Sequence, residues 1–302
     1  MSHLIALIFI SVSVYIGSAF MSLLLGIIFA YYFDLPDSFF TKKVGSKFIQ
    51  IGIILLAFSI PIYDAYELTK TFIPFISIFV LLILLFGFII GKFFNLKRNQ
   101  IILISSGTAI CGATAIAAIA PIVKASPKSL VTSISLVFIL NAFALVFFPF
   151  IGTYFGLSQE FFGAWVALSI HDTASVLGAA LSFGEESVDV ATTIKLTRTL
   201  WLIPLMIVLS IFYDKKTTFK MPIFVLIFIA VLFLNTYLDI SNMTALFIDQ
   251  TSNIFLFTGL FCIGTSIDKE SMLTLSKGIV LHALILWVIA ILLSFILVSY
   301  VI

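Results

Sequence analysis

Charge is scarce in this sequence. Only 10% of its 302 residues are Asp, Glu, Lys or Arg, whereas 62% are hydrophobic and 34 are Phe. This shortage excludes a soluble globular protein, because such a protein needs a largely polar and charged surface. Together with a mean hydropathy of +1.27, it predicts an all-α, polytopic membrane protein.

Cysteine is nearly absent as well. Cys111 and Cys262 both fall within apolar segments, which favours small buried thiols over a disulfide or a redox role. The N-terminal residues lack the basic region and the small-residue cleavage site of a removable signal peptide, so we expect the first apolar stretch to be a permanent span. The formal net charge of +2 indicates no particular partner, and we expect no nucleic acid.

Hydrophobic segments occupy almost the whole chain, which predicts a single membrane domain over residues 1–302. Most segments have about 20 residues, the length that crosses a bilayer. The first is longer and forms either one tilted helix or a helix broken near Gly17. We predict a helical bundle of about ten spans at 4–33, 44–63, 71–94, 101–124, 128–156, 161–184, 188–213, 220–238, 244–267 and 276–302.

The distribution of Lys and Arg among the loops predicts the orientation. Odd-numbered loops contain eleven basic residues (Lys42, Lys43, Lys47, Lys92, Lys97, Arg98, Lys215, Lys216, Lys220, Lys269 and Lys277), and even-numbered loops contain three (Lys70, Lys124 and Lys128). Odd loops should therefore be cytoplasmic and both termini non-cytoplasmic, with Glu185, Glu186 and Asp189 on the outer face.

Residues 105–115 replace the usual Leu, Ile and Phe with small and hydroxyl side chains. Two interpretations stay open: small residues permit close helix packing, and they also permit a helix to break and expose its backbone to a cavity. The hydroxyl content favours an interrupted helix that lines a site. The candidate ligands here are Ser106, Thr108, Cys111, Gly112 and Thr114.

A histidine and a carboxylate, His171 and Asp172, lie near the middle of the sixth span, beside Thr173 and Ser175. Charge at bilayer depth is expensive and is usually functional, and histidine titrates near neutral pH. We interpret these residues as a substrate-binding or proton-transfer group. The alternative is a buried structural polar network.

Two cations, Lys195 and Arg198, lie on one face of the seventh span because they are three residues apart. A guanidinium suits the oxygens of sulfonate, sulfate, phosphate or carboxylate, and the excess of positive groups suggests an anionic substrate. The alternatives are that Lys195 extends to the membrane interface and that Arg198 forms an internal salt bridge with Asp172.

Weak internal symmetry is also present. Residues 259–268 share a seven-residue Gly-to-Ser spacing with 52–61, and residues 111–115 form a looser pair with 171–175. Duplicated transporters show such similarity. It suggests repeats over about 44–156 and 161–302.

These motifs resemble those of the sulfate-exporter (YeiH-like) family of bacterial inner-membrane proteins. The matching segments cover most of the chain: 52–57, 105–125, the region around His171, 195–204 and 259–268. The resemblance implies a bundle related to the bile-acid and arsenite transporter superfamily, with inverted repeats and discontinuous helices. It also implies an inner-membrane location and export of a sulfur oxyanion or organosulfonate. Asp172 and Ser175 stand where the family usually has Glu and Gln, and the shorter carboxylate and the lost amide change the reach and hydrogen bonding of this segment.

We therefore predict a secondary transporter of a small anion, in which Arg198 binds the anion and His171 and Asp172 couple it to protons. A cation/proton antiporter with Asp172 as the carrier and an anion channel are the alternatives. An enzyme is disfavoured because the chain lacks zinc-protease and Gly-x-Ser-x-Gly motifs. We expect no cofactor or metal, the lipid bilayer as a partner, and self-association into a homo-oligomer as one option.

Overall fold

A computed structural model of the protein describes residues 2–17, 19–33, 35–36, 38–58, 62–120, 122–213, 223–235, 237–238, 242–266 and 276–302. Within these ranges the regular structure is entirely helical. The helices are α1 (Ser2–Ile16), α2 (Ala19–Phe33), α3 (Phe40–Leu56), α4 (Ile62–Phe93), α5 (Arg98–Ala109), α6 (Ala113–Ile119), α7 (Pro127–Tyr154), α8 (Gln159–Ser169), α9 (Thr173–Leu181), α10 (Glu185–Thr199), α11 (Leu202–Tyr213), α12 (Ile223–Asn235), α13 (Asn242–Gly264) and α14 (Lys277–Ser299).

Five helical segments are long and apolar enough to cross a membrane. They are Tyr66–Phe93, Thr132–Tyr154, Glu185–Tyr213, Met243–Gly264 and Lys277–Ser299. These segments support the prediction of an all-helical, multi-pass membrane protein. The predicted set of ten spans is not reproduced, because three of the predicted spans fold back on themselves.

The first of these spans comprises residues 4–33, for which the sequence allowed either one tilted helix or a helix broken near Gly17. The helix ends at Gly17, whose φ of 63° is in the left-handed region that favours glycine. The Phe9 and Phe29 rings lie 5.5 Å apart, and the ring of His3 lies 4.6 Å from that of Phe39. α1 and α2 therefore form an antiparallel hairpin, and the N-terminus lies at the same end of the bundle as the start of α3.

The predicted fourth span, 101–124, also returns to the end from which it starts. Asn99, at the start of α5, donates a side-chain hydrogen bond to the carbonyl of Lys124 at 3.3 Å. Deeper in the pair, a Cβ on Gly107 would lie 2.8 Å from Ile116 Cδ1. The span prediction is wrong here: α5 and α6 are the two arms of a re-entrant hairpin.

The predicted sixth span, 161–184, is a second re-entrant hairpin, made of α8 and α9. Phe162 stacks on Phe183 with ring centroids 3.9 Å apart, and the side chain of Gln159 packs on Gly184. Because α7 crosses the bundle between the two hairpins, the α5–α6 and α8–α9 hairpins enter from opposite ends.

The two ends of the bundle differ in charge. We call the end that holds Asn99 and Lys124 the basic end, because it carries the residues Lys42, Lys43, Lys47, Lys92, Lys97, Arg98, Lys124, Lys128 and Lys277. The opposite, acidic end carries Glu67, Glu160, Glu185, Glu186 and Asp189, and Lys70 is its one basic residue within the described chain. The hairpins thus move Lys124 and Lys128 from the outer face of the ten-span topology to the face that the other basic residues share.

The helices pack in two groups. The first group comprises α1, α2, α3, α12 and α13, and its helices approach closely through small residues. Ser252 donates to the carbonyl of Gly52 at 2.9 Å, and the Thr41 and Thr265 hydroxyls lie 2.7 Å apart. The second group comprises α4 to α11 and α14, and α9 contacts α2 and α13 of the first group.

Segments 52–58 and 259–266, which the sequence pairs as a repeat, lie in the first group on helices that pack against each other. A Cβ on Gly52 would be 2.7 Å from Leu256 Cδ2, and one on Gly259 would be 2.6 Å from Ile49 Cδ1. Residues 59–61 and 267–268 of that pair lie outside the described residues. The inverted repeat remains a prediction.

Candidate functional site

The tips of the two hairpins meet in the middle of the bundle. In the α5–α6 hairpin the helix breaks between Ala109 and Ala113, and Gly112 turns the chain with a φ of 63°. A Cβ at Gly112 would lie 3.2 Å from both Cβ and the backbone nitrogen of Asp172. The two breaks predicted as a loose pair therefore contact each other directly. Irregular backbone at this depth is tolerated only inside protein or beside a cavity.

The tip of the α8–α9 hairpin is organised by Asp172, which is the N-cap of α9. Its Oδ1 accepts the backbone N–H of Ser175 at 2.8 Å, and its Oδ2 accepts the Ser175 hydroxyl at 3.0 Å. A carboxylate at this position stabilises the positive end of the α9 dipole. Ser175 is buried, whereas Asp172 and Thr173 are half-buried.

Arg198 joins the two hairpins. Its guanidinium is fully buried and donates to the carbonyls of Ala109 (Nε, 2.7 Å) and Thr108 in one hairpin. In the other hairpin its Nη1 donates to the carbonyls of Ala167 at 3.0 Å, Leu168 at 2.7 Å and Ile170 at 3.2 Å. Two helix C-termini, those of α5 and α8, therefore share one cation, which is the charge that their dipoles favour.

Lys195 supports the same helix ends. Its ammonium donates to the carbonyl of Ile170 at 2.7 Å, with that of Ala167 at 3.5 Å. The residue is fully buried, so it does not extend to the membrane interface. Within the described part of the chain, neither Lys195 nor Arg198 forms a salt bridge with Asp172, although the sequence left that pairing open for Arg198. The guanidinium carbon of Arg198 instead lies 4.8 Å from the centroid of the Phe79 ring.

Sequence reasoning missed Asn141, which connects the two polar residues of the α8–α9 tip. This buried amide lies midway along α7. Its Oδ1 accepts the backbone N–H of His171 at 3.2 Å and lies 3.0 Å from His171 Nδ1. Its Nδ2 donates to Oδ2 of Asp172. A lone amide within an apolar helix was the available signal, because such a group needs partners in a membrane.

His171 has one satisfied and one unsatisfied ring nitrogen. The side chain is buried, and Nε2 has no hydrogen-bond partner among the residues that the structure describes. Its ring lies 6.1 Å from that of Trp287, whose indole N–H donates to the carbonyl of Ser169 at 3.1 Å.

The remaining predicted site residues divide into two sets. Ser106 and Thr108 are buried and donate to carbonyls of their own helix, Leu103 at 3.1 Å and Ile104 at 3.0 Å. Cys111 and Gly112 are buried at the tip, whereas Thr114 is exposed. Among these tip residues, Thr114, Asp172 and Thr173 are the ones with solvent-exposed surface in this conformation. The described residues contain no cluster of three or more His, Cys, Asp or Glu that could hold a metal ion.

The chain is similar to known membrane proteins along most of its length. The sequence model of a family described as "Conserved hypothetical protein 698" matches residues 1–283. A UPF0324 membrane protein of Porphyromonas gingivalis is 41% identical over 253 residues, which cover 82% of this chain and 77% of the relative. One from Bacteroides thetaiotaomicron is 38% identical over 272 residues, which cover 89% and 82%.

A third relative, a UPF0324 membrane protein of Vibrio vulnificus, is 36% identical over 262 residues, which cover 85% of this chain and 83% of the relative. No solved structure matches the chain. The range that the family model matches includes both hairpins and Arg198. The chain thus belongs to the UPF0324 family of membrane proteins, described as conserved hypothetical protein 698.

Proposed function

We propose that this protein is a secondary transporter of a small anion. One observation carries the proposal: two re-entrant hairpins, which enter the bundle from opposite ends, meet beside the buried side chains of Lys195 and Arg198. Discontinuous helices whose ends meet near the bilayer midplane are a common way for carriers to build a substrate site.

The charge of the tips favours an anion. Two half-helix C-termini and two N-termini meet there, so their partial charges of about half a unit each cancel. Lys195 and Arg198 contribute +2 and Asp172 contributes −1 in their usual charge states, which leaves +1. A bound monoanion neutralises this charge, whereas a bound cation adds to it. The difference in electrostatic energy between the two is large because the buried site has a low dielectric constant.

The role of the cations differs from the one that the sequence suggested. Arg198 and Lys195 donate to backbone carbonyls, so we infer that they act on the anion through their field and by holding the hairpins. Thr114 and Thr173 carry the partly exposed hydroxyls of the two tips. We propose that they contact the anion directly.

Alternating access follows from the two helix groups. The second group holds both hairpins, and α9 and α7 of that group contact α2 of the first. Movement of the second group against the first exposes the tips to one end of the bundle and then to the other. Such rigid-body movement fits a site whose hairpins share Arg198, because neither hairpin can open alone without breaking its hydrogen bonds.

The resemblance to the sulfate-exporter (YeiH-like) family, and through it to the bile-acid and arsenite transporters, favours sulfate, sulfite or an organosulfonate as the substrate and export from the bacterial inner membrane. We propose that the basic end is cytoplasmic. The α1–α2 hairpin then places the N-terminus in the cytoplasm and the C-terminus outside, which revises the expectation that both termini are outside.

A cation/proton antiporter is the second candidate. The observation that favours it is the half-buried carboxylate of Asp172, the reachable charged group at the tips. In that case Asp172 itself carries the ion, and Asp172→Asn abolishes transport without any requirement for an anion.

Counterflow in proteoliposomes tests these candidates. Vesicles loaded with unlabelled sulfate, sulfite, taurine, sulfoacetate or phosphate are diluted into the labelled anion, and uptake is followed for the wild type, Thr114→Val, Thr173→Val and the matched control Thr153→Val. Thr153 is exposed near the end of α7, away from the tips. We expect saturable exchange of one anion class that the two tip variants weaken and the control retains.

Two outcomes contradict the proposal. Absence of anion exchange, together with sodium-driven proton movement that Asp172→Asn removes, establishes the antiporter. Anion flux far above carrier rates and without competition between substrates establishes a channel.

A further inference from the structure

We propose that His171 Nε2 is a ligand for the transported anion and accepts a hydrogen bond from it. Within the proposed anion class, the preferred substrates are therefore those that carry an O–H or N–H donor, such as hydroxyl- or amine-bearing organosulfonates, rather than fully deprotonated anions such as sulfate. This inference rests on the proposed function, since it assigns a substrate class to the same site.

The hydrogen bonds of Asn141 determine the state of the imidazole. Its Oδ1 accepts from a backbone N–H, that of His171, and its Nδ2 donates to the Asp172 carboxylate. The orientation of the amide is thus set by two partners of unambiguous polarity. The second neighbour of Oδ1, His171 Nδ1 at 3.0 Å, must then be a donor. In the neutral imidazole, Nδ1 carries the proton and Nε2 presents a lone pair.

Neighbouring protein donors do not serve this lone pair. The donors of Lys195 and Arg198 point at hairpin carbonyls, and the Trp287 indole N–H bonds the carbonyl of Ser169. His171 itself is 1% exposed, and Nε2 has no partner within the described chain. Buried acceptors without a donor are costly and rare in native proteins.

A donor supplied by the substrate satisfies Nε2 when the site is loaded. A substrate without a donor places an anionic oxygen opposite the Nε2 lone pair. Binding then lacks the hydrogen bond and also suffers electrostatic repulsion. Sites built around such a bond discriminate strongly against analogues that lack the donor. Asn141 is the positioning residue in this scheme, because it selects the tautomer without touching the anion.

Matched pairs of anions separate the donor from size and charge. Ethanesulfonate and isethionate differ by one hydroxyl, and phosphate carries an O–H at neutral pH where sulfate has none. We expect counterflow in the wild type to favour isethionate over ethanesulfonate, and phosphate over sulfate, by roughly tenfold or more in apparent affinity. Equal apparent affinities within both pairs overturn the inference.

The variant His171→Asn keeps the role of Nδ1 and removes Nε2. An asparagine amide can still donate to Asn141 Oδ1, so the tip keeps its network, but the far acceptor is gone. We expect the variant to lose much more apparent affinity for isethionate than for ethanesulfonate, so that the preference between the two anions disappears. An equal loss for both anions indicates a structural role and contradicts the inference. His171→Gln, which places an amide oxygen near Nε2, should keep the preference.

Nitrogen NMR of imidazole-labelled protein gives a readout that does not depend on transport. We expect Nε2 of His171, assigned by its disappearance in His171→Asn, to show the shift of an unprotonated nitrogen and to move when isethionate is added but not when ethanesulfonate is added. A protonated Nε2 overturns the inference. A shift that neither anion changes also overturns it, because a bound water then serves the lone pair.

Anion exchange that persists without donor selectivity leaves the proposed function standing, whereas no anion exchange at all contradicts the proposed function itself.

Discussion

Asn99 and Lys124 are joined by a hydrogen bond across 25 residues of sequence, from the Asn99 side chain to the Lys124 carbonyl. Two helical arms and a sharp turn lie between them. A chain that crossed the membrane over this distance would separate the two residues by about 30 Å. The bond therefore places Lys124 at the same face as Lys97 and Arg98, and it determines the side of every segment that follows.

Thiol labelling tests this topology. In a background with both native cysteines replaced, we expect Lys124→Cys to resist a membrane-impermeant maleimide in intact cells and to react after lysis, because we propose that the basic end faces the cytoplasm. Glu186→Cys, at the acidic end, should react in intact cells and serves as the control. The ten-span topology makes the opposite prediction for position 124, so labelling of Lys124→Cys in intact cells contradicts the re-entrant hairpin.

Part of this architecture could be predicted from the sequence. The break in residues 105–115 and the polar cluster at His171 and Asp172 follow from hydroxyls, glycine and charge in apolar surroundings. The return of the chain could not be predicted from length, because 24 apolar residues suit either one span or two short arms. Lys124 and Lys128 were the signal: a re-entrant hairpin removes two of the three exceptions to the charge rule.

The partners of Arg198 could not be predicted either. The residue type and its depth indicate a function, but a guanidinium can donate hydrogen bonds to carboxylates, phosphates and carbonyls alike. Its carbonyl partners are created by the helix breaks, and only the meeting of the two tips brings them together. Asn141 was missed for a similar reason, since its partners lie about 30 residues away and no spacing pattern connects them.

Removal of Arg198 should destabilise the protein. Arg198→Ala leaves the carbonyls of two helix ends without a donor in a buried site, and we expect a loss of at least about 3 kcal/mol. Arg198→Lys should lose less stability, because an ammonium keeps the positive charge. Some loss should remain, since an ammonium cannot span both hairpins. The loss of stability is measured by heating the detergent-solubilised protein to a series of temperatures and determining the remaining folded fraction by size-exclusion chromatography.

The matched control for that variant is Arg98→Ala at the basic end. This guanidinium lies 5.5 Å from the Tyr213 ring centroid, and its loss should cost no more than about 1 kcal/mol. If Arg198 served only to bind the anion, Arg198→Ala would melt like the wild type and lose only its stabilisation by added anion.

Asp172 and Asn141 should be exchangeable as a pair. Asp172→Asn turns one acceptor into a donor that faces the Asn141 Nδ2 donor, and Asn141→Asp places two carboxylates together. We expect each single variant to lose about 1 to 3 kcal/mol of stability. The double variant Asn141→Asp/Asp172→Asn restores one acceptor facing one donor and keeps an oxygen for His171, so it should recover most of the loss.

A double-mutant cycle on the melting data measures this coupling. A positive coupling above about 1 kcal/mol supports a direct hydrogen bond between positions 141 and 172. Losses that simply add would contradict the bond and with it the tautomer assigned to His171.

Gly112 should be intolerant of a side chain for two reasons. Its φ of 63° is strained for alanine, and a Cβ would lie 3.2 Å from Asp172 in the opposing tip. Gly156 is a control for positive φ alone, because it has a φ of 62° and nothing within 4 Å of an added Cβ. Gly112 also has a ψ of −128°, a combination with positive φ that is nearly confined to glycine. We expect Gly156→Ala to cost about 1 kcal/mol and Gly112→Ala to cost at least 1 kcal/mol more. The difference in melting between the two variants measures what the ψ of Gly112 and the crowding of its Cβ by Asp172 and Val137 add, and equal losses would contradict the tight packing of this turn against the opposing tip.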